Sequence, residues 1–160
     1  MSISYRYGED SDEADLITLI EKCYAGYDNC ILDVENEEPQ LRHIRTYFDE
    51  LGGEFWVADQ DGKIVGCIGY KPSENTVEVK HLYVDTDVRR QGLGTNLCDL
   101  VEEAAKKRGA AKIILWTDTR FLEAHSLYEK RGFVGKVETR ELNDLSESVE
   151  YYYEKSLRTS

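Results

Sequence analysis

The run Arg89-Arg90-Gln91-Gly92-Leu93-Gly94 constrains this chain more than any other segment, because it joins a strand-like stretch, Thr76 to Val84, to an amphipathic helical pattern that begins near Gly92. Leu93, Leu97, Leu100, Val101, Ala104 and Ala105 share one helical face, and Gly109 ends the pattern. Ile113 to Trp116 then reads as a buried strand. Strand, glycine turn, helix and strand form a crossover unit, so the two strands are parallel neighbours or nearly so. The turn is also an anion cradle. Its glycines let the backbone approach a ligand closely, the N–H groups of a helix's first turn lack acceptors, and the helix dipole adds about half a positive charge there. A diphosphate suits it.

The rest of the pattern completes a mixed sheet. Ile3 to Tyr7 reads as a short strand, and Asp10 or Ser11 caps a helix carrying Leu16, Ile17, Leu19, Ile20 and Tyr24. An acid-rich loop over residues 28–39 leads to a second helix on Leu41, Ile44, Tyr47, Phe48 and Leu51, stopped at Gly52-Gly53. Glu54 to Ala58 and Lys63 to Tyr70 are strands joined at Asp61-Gly62, a strong hairpin signal. Leu122 to Arg131 is a further helix, and Val134 to Arg140 and Val149 to Lys155 are closing strands. The 160 residues fit one domain, 1–160, of the mixed α/β (α+β) class.

Composition removes several function classes. A net charge of −12 disfavours nucleic acid and anionic membrane as partners, since both require neutralising Lys and Arg. Such acidity tolerates a cationic ligand and also serves solubility. No apolar run approaches the ~20 residues of a membrane span, and Met1-Ser2-Ile3-Ser4-Tyr5 lacks the regions of a signal peptide, so a cytoplasmic location is expected. The four cysteines show no C-x-x-C pairing and the three histidines are scattered, so no metal site is expected.

The glycine turn lacks the third glycine of a dinucleotide fingerprint and the Lys-Ser/Thr of a P-loop; Asn96 and Leu97 follow Thr95. What remains is [Arg/Gln]-x-x-Gly-x-[Gly/Ala], with Arg89, Gly92 and Gly94 at the fixed positions. This resembles the acyl-CoA-binding signature of the GCN5-related N-acetyltransferase (GNAT) superfamily. Downstream, Ala124-x-x-Leu127-Tyr128-x-x-x-Gly132-Phe133 is similar to that family's other block. The resemblance spans most of the chain, strongest from Glu78 to Phe133 and weakest before Glu54.

The resemblance implies a central mixed, mostly antiparallel sheet of about seven strands flanked by about four helices. It splays open in the middle, where acyl-CoA is wedged. It implies an acetyl-CoA-dependent N-acetyltransferase, with a small-molecule or peptide amine as acceptor and no acyl-enzyme. By the same resemblance Arg89, Arg90, Gln91, Gly92, Leu93, Gly94 and Thr95 hold the diphosphate. Leu82, Tyr83 and Val84 pair with the pantetheine arm, and the Leu82 N–H is the oxyanion donor. Glu78 is the expected base for an amine whose ordinary pKa is about 10.4, and Tyr128 the expected acid for the departing thiolate, which also binds near the cofactor. An ordinary strand glutamate and a helix-packing tyrosine are the alternatives.

One departure stands out. Where such enzymes often carry Asn, three residues before Ala124, this chain has Phe121; Thr119 or Asp118 replaces its contact or caps the helix. Acceptor binding falls to the early loop and last strands, with Tyr24, Tyr27, Asp28, Asp33 and Glu35 as candidates, beside Tyr151 to Tyr153. Glu150 to Lys155 serves equally a homodimer or a closed monomer. The rival to the enzyme is a catalytically silent acyl-CoA-binding regulatory module, for which Phe121 leaves room.

Overall fold

A computed structural model of the chain describes residues 2–88 and 92–157. Seven strands and four α-helices follow one another among the described residues. They are β1 (Ile3–Tyr7), α1 (Glu13–Tyr24), α2 (Ile44–Leu51), β2 (Glu54–Gln60), β3 (Lys63–Pro72), β4 (Thr76–Val84) and α3 (Leu93–Lys107), then β5 (Lys112–Asp118), α4 (Leu122–Lys130), β6 (Val134–Glu141) and β7 (Val149–Ser156). The strands form one sheet in the order β1-β2-β3-β4-β5-β7-β6. Every neighbouring pair is antiparallel except β4 and β5, the strands of the crossover unit.

Alternation along the strands sorts side chains to two faces. In β2, Trp56 and Ala58 point to a cluster with Leu93, Leu97, Val101 and Ala105 of α3, while Phe55 and Val57 point to one with Leu16, Leu19 and Ile20 of α1 and Ile44 and Phe48 of α2. The sheet is therefore covered on both sides. On the first side α3, α4 and β7 are tied by charge. The buried Glu102 accepts from Arg131 Nε at 2.8 Å and from Lys155 Nζ at 2.9 Å.

The hairpin turn forms as its residues require: Asp61 at φ 52° and Gly62 at φ 89° both take the left-handed region of a primed turn. The start of α1 differs from expectation. A 3-10 turn, Asp10–Asp12, comes first, and the Asp12 carboxylate accepts from the Glu9 N–H at 2.8 Å and from both terminal nitrogens of Arg6. Asp10 caps the other helix instead, accepting from Thr46 N at 3.0 Å and Thr46 Oγ1 at 2.6 Å in the first turn of α2. The helical spacing from Leu41 onward is also split, because Pro39–His43 is a 3-10 turn and His43 leaves helical geometry before α2 begins.

The centre of the sheet determines where a ligand can enter. β4 and β5 are in register only over residues 76–78 and 112–114. Beyond Glu78 the strands separate. Between β3 and β4, Cys67 faces Tyr83 and Gly69 faces Lys80, so His81 and Leu82 together oppose the single residue Ile68. This is a β-bulge, and His81 holds a left-handed φ of 59° within it. A bulge bends its strand and adds twist, which turns the end of β4 away from β5.

Among the described residues no helix is long and apolar enough to cross a membrane. Close packing beside the bulge gives a test of the fold. A Cβ on Gly69 would lie 2.6 Å from Phe48 Cζ and 2.8 Å from Phe55 Cδ1. Gly69→Ala is expected to lose about 1–3 kcal/mol in urea unfolding; an unchanged midpoint would show that the two rings move aside freely.

Candidate active site

Where β4 and β5 part, a cavity of about 620 Å³ opens. Leu82, Tyr83 and Val84 of β4 form one wall, Gly92, Leu93, Gly94 and Thr95 at the start of α3 form its end, and Phe121, Ala124 and Leu127 with their neighbours on α4 form the opposite wall. Cys23 and Tyr27 close it from the side of α1. The split strand pair and the helix N-terminus thus meet in one space, as the resemblance implied.

Gly92 caps α3 at φ 76°, and its carbonyl accepts the first helical bond, from the Asn96 N–H at 2.9 Å. Helix geometry leaves the N–H groups of Leu93, Gly94 and Thr95 without intrahelical acceptors, directed at the cavity end. The two glycines differ in purpose. Gly92 needs its positive φ, whereas a Cβ on Gly94 would sit 2.9 Å from Leu127 Cδ2, so Gly94 also lets α3 approach α4. Arg89, Arg90 and Gln91 lie outside the described residues.

The residues that follow β4 are anchored from α1. Lys22 Nζ lies 2.8 Å from Asp85 Oδ1 and 2.6 Å from Asp87 Oδ2, and the Asp87 N–H donates to Asp85 at 2.8 Å. Burial alone would raise the Asp85 carboxyl; Lys22, that N–H and Lys63 outweigh it and hold it below its usual range.

The wall residue Tyr83 is backed by a second aromatic hydroxyl, Tyr24. Tyr24 and Tyr83 share a hydrogen bond of 3.0 Å between their hydroxyls, and burial raises both above the ordinary phenol. They remain neutral. Phe121 lies where the resemblance places an amide, and its ring is 5.1 Å from Tyr27 and 6.1 Å from Tyr24, an apolar wall. Thr119 uses its N–H on the Val149 carbonyl at 2.9 Å and does not line the cavity. Asp118 caps no helix with its side chain; Arg120 grips both of its oxygens at 2.9 and 2.8 Å.

Glu78 and Tyr128 do not line the cavity. Val77 and Val79 belong to the core under α3, so Glu78 turns to the opposite face, with Lys80 Nζ 3.8 Å away. Its charge reaches Tyr47 and Tyr152. Tyr128 is packed between Phe133 and Tyr153, ring centroids 5.5 and 5.7 Å off, and burial keeps its phenol protonated.

The acidic mouth expected from the early loop does not form as drawn. Of its candidates, Tyr27 lines the cavity and Tyr24 backs Tyr83, but Asp28, Asp33 and Glu35 do not line it. Asp33 closes a turn onto Asn36 N at 3.1 Å, the Glu35 side chain is 78% exposed, and Asp28 contributes only its carbonyl, to Arg120 Nη1 at 3.1 Å. Composition marked the loop as acidic without showing which acids turn inward. The inward one is Glu38, whose carboxyl burial raises, although Gln40 and Lys80 oppose that shift. Gln40 donates to Glu38 and lies 3.1 Å from His81 Nε2. Sequence spacing gave no signal for this trio, because its members meet across a loop and a bulge.

The loop is held in place by the turn between β6 and β7. Ser146 Oγ receives the Ile31 N–H at 2.7 Å and donates to the Ile31 carbonyl at 3.1 Å, and the Leu145 N–H donates to Glu37 Oε2 at 2.8 Å. Arg120 also reaches Ser146 O and Ser148 Oγ, both at 3.2 Å. Among the described residues no group of acidic, His or Cys side chains is placed to hold a metal ion.

Comparison with known proteins gives a consistent result. The sequence model of the acetyltransferase (GNAT) family matches residues 15–133. Human N-acetyltransferase 8 is 37% identical over 95 residues, 56% of this chain and 42% of that protein. N-acetylaspartate synthetase of Danio rerio is 34% identical over 132 residues, 79% of this chain and 45% of that protein. The chain spans about half the length of the curated relatives it matches. Among solved structures, a GNAT-family acetyltransferase from Staphylococcus aureus Mu50 has a TM-score of 0.84 at 25% identity, covering 98% of this chain and all (100%) of that one. The PaiA N-acetyltransferase of Thermoplasma acidophilum, solved in complex with coenzyme A, shares the fold with a TM-score of 0.73 at 21% identity, covering 98% and 99%.

The histidine at the bulge yields a pH prediction. Burial, with Lys80 adding to it, lowers the His81 pKa to about 4, against about 6.5 in an unfolded chain. The unfolded state therefore takes up the proton first. The stability this gives the neutral ring is complete above pH ~6.5 and is lost as pH falls toward ~4. Between pH 8 and pH 5 the parent should lose about 2 kcal/mol more than His81→Gln in urea unfolding; parallel pH profiles would contradict the assignment.

Proposed function

The chain belongs to the acetyltransferase (GNAT) family, and from that premise we propose that residues 1–160 form a single domain that transfers acetyl from acetyl-CoA directly to a primary amine. The acceptor class is an amine of a small molecule or peptide. The observation that carries this reading is the coincidence of the β4–β5 gap with the N-terminus of α3 in one cavity. A long, bent cosubstrate with a diphosphate at one end and a thioester at the other matches that shape.

Acetyl-CoA supplies an activated acyl group on a thiolate leaving group. The N–H groups of Leu93, Gly94 and Thr95 receive the diphosphate, with Arg89, Arg90 and Gln91 of the same turn assigned to it by the family signature. Leu82, Tyr83 and Val84, freed from pairing with β5, offer backbone groups to the pantetheine arm. The Leu82 N–H polarises the acetyl carbonyl and stabilises the oxyanion as the amine attacks. Glu78 removes the amine proton, and its place on the face turned toward α2 supports this role. Tyr128, protonated throughout, donates to the departing sulfur.

Charge favours a cationic acceptor on the α2 side, where Glu38, Glu78 and Glu150 are offset by Lys80. The regulatory alternative predicts binding without turnover, and Phe121 in place of an amide is the residue that favours it.

The test is CoA-thiol release from acetyl-CoA across polyamines, amino acids, aminoglycosides and basic peptides. Glu78→Gln is expected to lower kcat about 10²-fold. Tyr128→Phe should cost less, because a thiolate of pKa about 8.5 is already a fair leaving group. Binding of acetyl-CoA with no amine-dependent release across the panel would instead favour the regulatory module.

A further inference from the structure

A histidine at φ 59° inside a strand is an outlier that its surroundings must enforce. Left-handed conformations cost a residue with a Cβ on the order of 1–3 kcal/mol, and they persist where several contacts over-determine them. At His81 the contacts are specific. The ring stands edge-on to Phe48, centroids 6.0 Å apart at 84°. Its Nε2 lies 3.1 Å from Gln40 Nε2. Since the Gln40 amide nitrogen is a donor, Nε2 accepts and the ring proton sits on Nδ1. The same amide nitrogen also donates to the Glu38 carboxylate, which fixes the amide's orientation.

The backbone is held as well. Cys67 Sγ lies 3.1 Å from the His81 carbonyl oxygen, and burial keeps this cysteine a thiol and therefore a donor. The His81 C=O and the Leu82 N–H belong to one planar trans peptide and point in opposite directions. Cys67 is on β3, so holding the carbonyl toward β3 turns the Leu82 N–H the other way, into the gap that β5 has left.

We propose that Gln40, His81 and Cys67 act as a positioning clamp that aims the Leu82 N–H at the acetyl carbonyl and makes that aim depend on the Pro39–His43 turn. The clamp rests on the reading of Leu82 as the oxyanion donor. Gln40 grips the side chain and Cys67 the peptide itself, so φ and ψ of His81 are fixed through its ring and its carbonyl together. Because Gln40 and Glu38 belong to the loop on the acceptor side, an amine settling there adjusts the donor through two hydrogen bonds. The three are positioning residues; none is assigned a contact with acetyl-CoA.

The experiment compares the parent with Gln40→Ala, His81→Gly and the double variant. Glycine at 81 adopts positive φ freely, so His81→Gly keeps the bulge while removing the ring, and with it the Gln40 grip and the Phe48 contact. Each single variant should lower kcat about tenfold with KM for acetyl-CoA unchanged, and the double variant should be no worse than the weaker single. The Leu82 amide resonance, recorded with acetyl-CoA and with CoA alone, reads the donor directly. It should shift with acetyl-CoA in the parent and lose most of that shift in Gln40→Ala. Equal responses in parent and Gln40→Ala, with equal kcat, would overturn the clamp and leave the Leu82 assignment standing. No acetyl-dependent shift in the parent would overturn the Leu82 assignment and the clamp with it.

Discussion

The short parallel contact between β4 and β5 is the constraint on which the rest of this structure depends. Three residues of each strand are in register, and then the bulge at His81 turns β4 away. A longer ladder would satisfy the backbone of Leu82, Tyr83 and Val84 within the sheet and leave no wall for a cavity. A shorter one would divide the sheet into halves held only by their helices. Pairing at one end and separation at the other give a continuous core with an opening in its middle.

That opening is kept from collapsing by the layers around it. α3 and α4 are locked to each other and to β7 through Glu102, Arg131 and Lys155, so the wall opposite β4 cannot slide inward without breaking partly buried ion pairs. Lys22 ties α1 to the buried Asp85 just beyond β4. The cavity is therefore bounded by elements whose positions are set elsewhere in the molecule, which is the condition for backbone donors to be preorganised.

Much of this was legible in the sequence because it is local. The Asp61-Gly62 turn, the apolar face of α3, its glycine cap and the parallel crossover each follow from a few adjacent residues and a period. The errors also have a common origin. Asp10 caps α2 rather than α1 because the choice between two helix starts was made by Thr46, thirty-six positions away. The acids of the early loop could be counted but not oriented: Asp33 turns onto its own loop, Glu35 onto solvent, and Glu38 inward. His81 carried no periodic signal at all, since a bulge is an interruption of period and its partners Gln40, Phe48 and Cys67 come from three separate elements.

The bonds from Ser146 to Ile31 join residues 115 positions apart in the chain. They have a consequence for how the protein is assembled. Closing so long a loop exacts its entropy before the contacts it permits are gained, so such contacts form late in folding. The acceptor-side wall, although encoded near the start of the chain, is therefore completed only after the final hairpin is in place. On the ribosome the early loop and both glycine-bearing motifs emerge before the β6–β7 hairpin that completes this wall, so the side of the cavity that would choose an acceptor takes shape last.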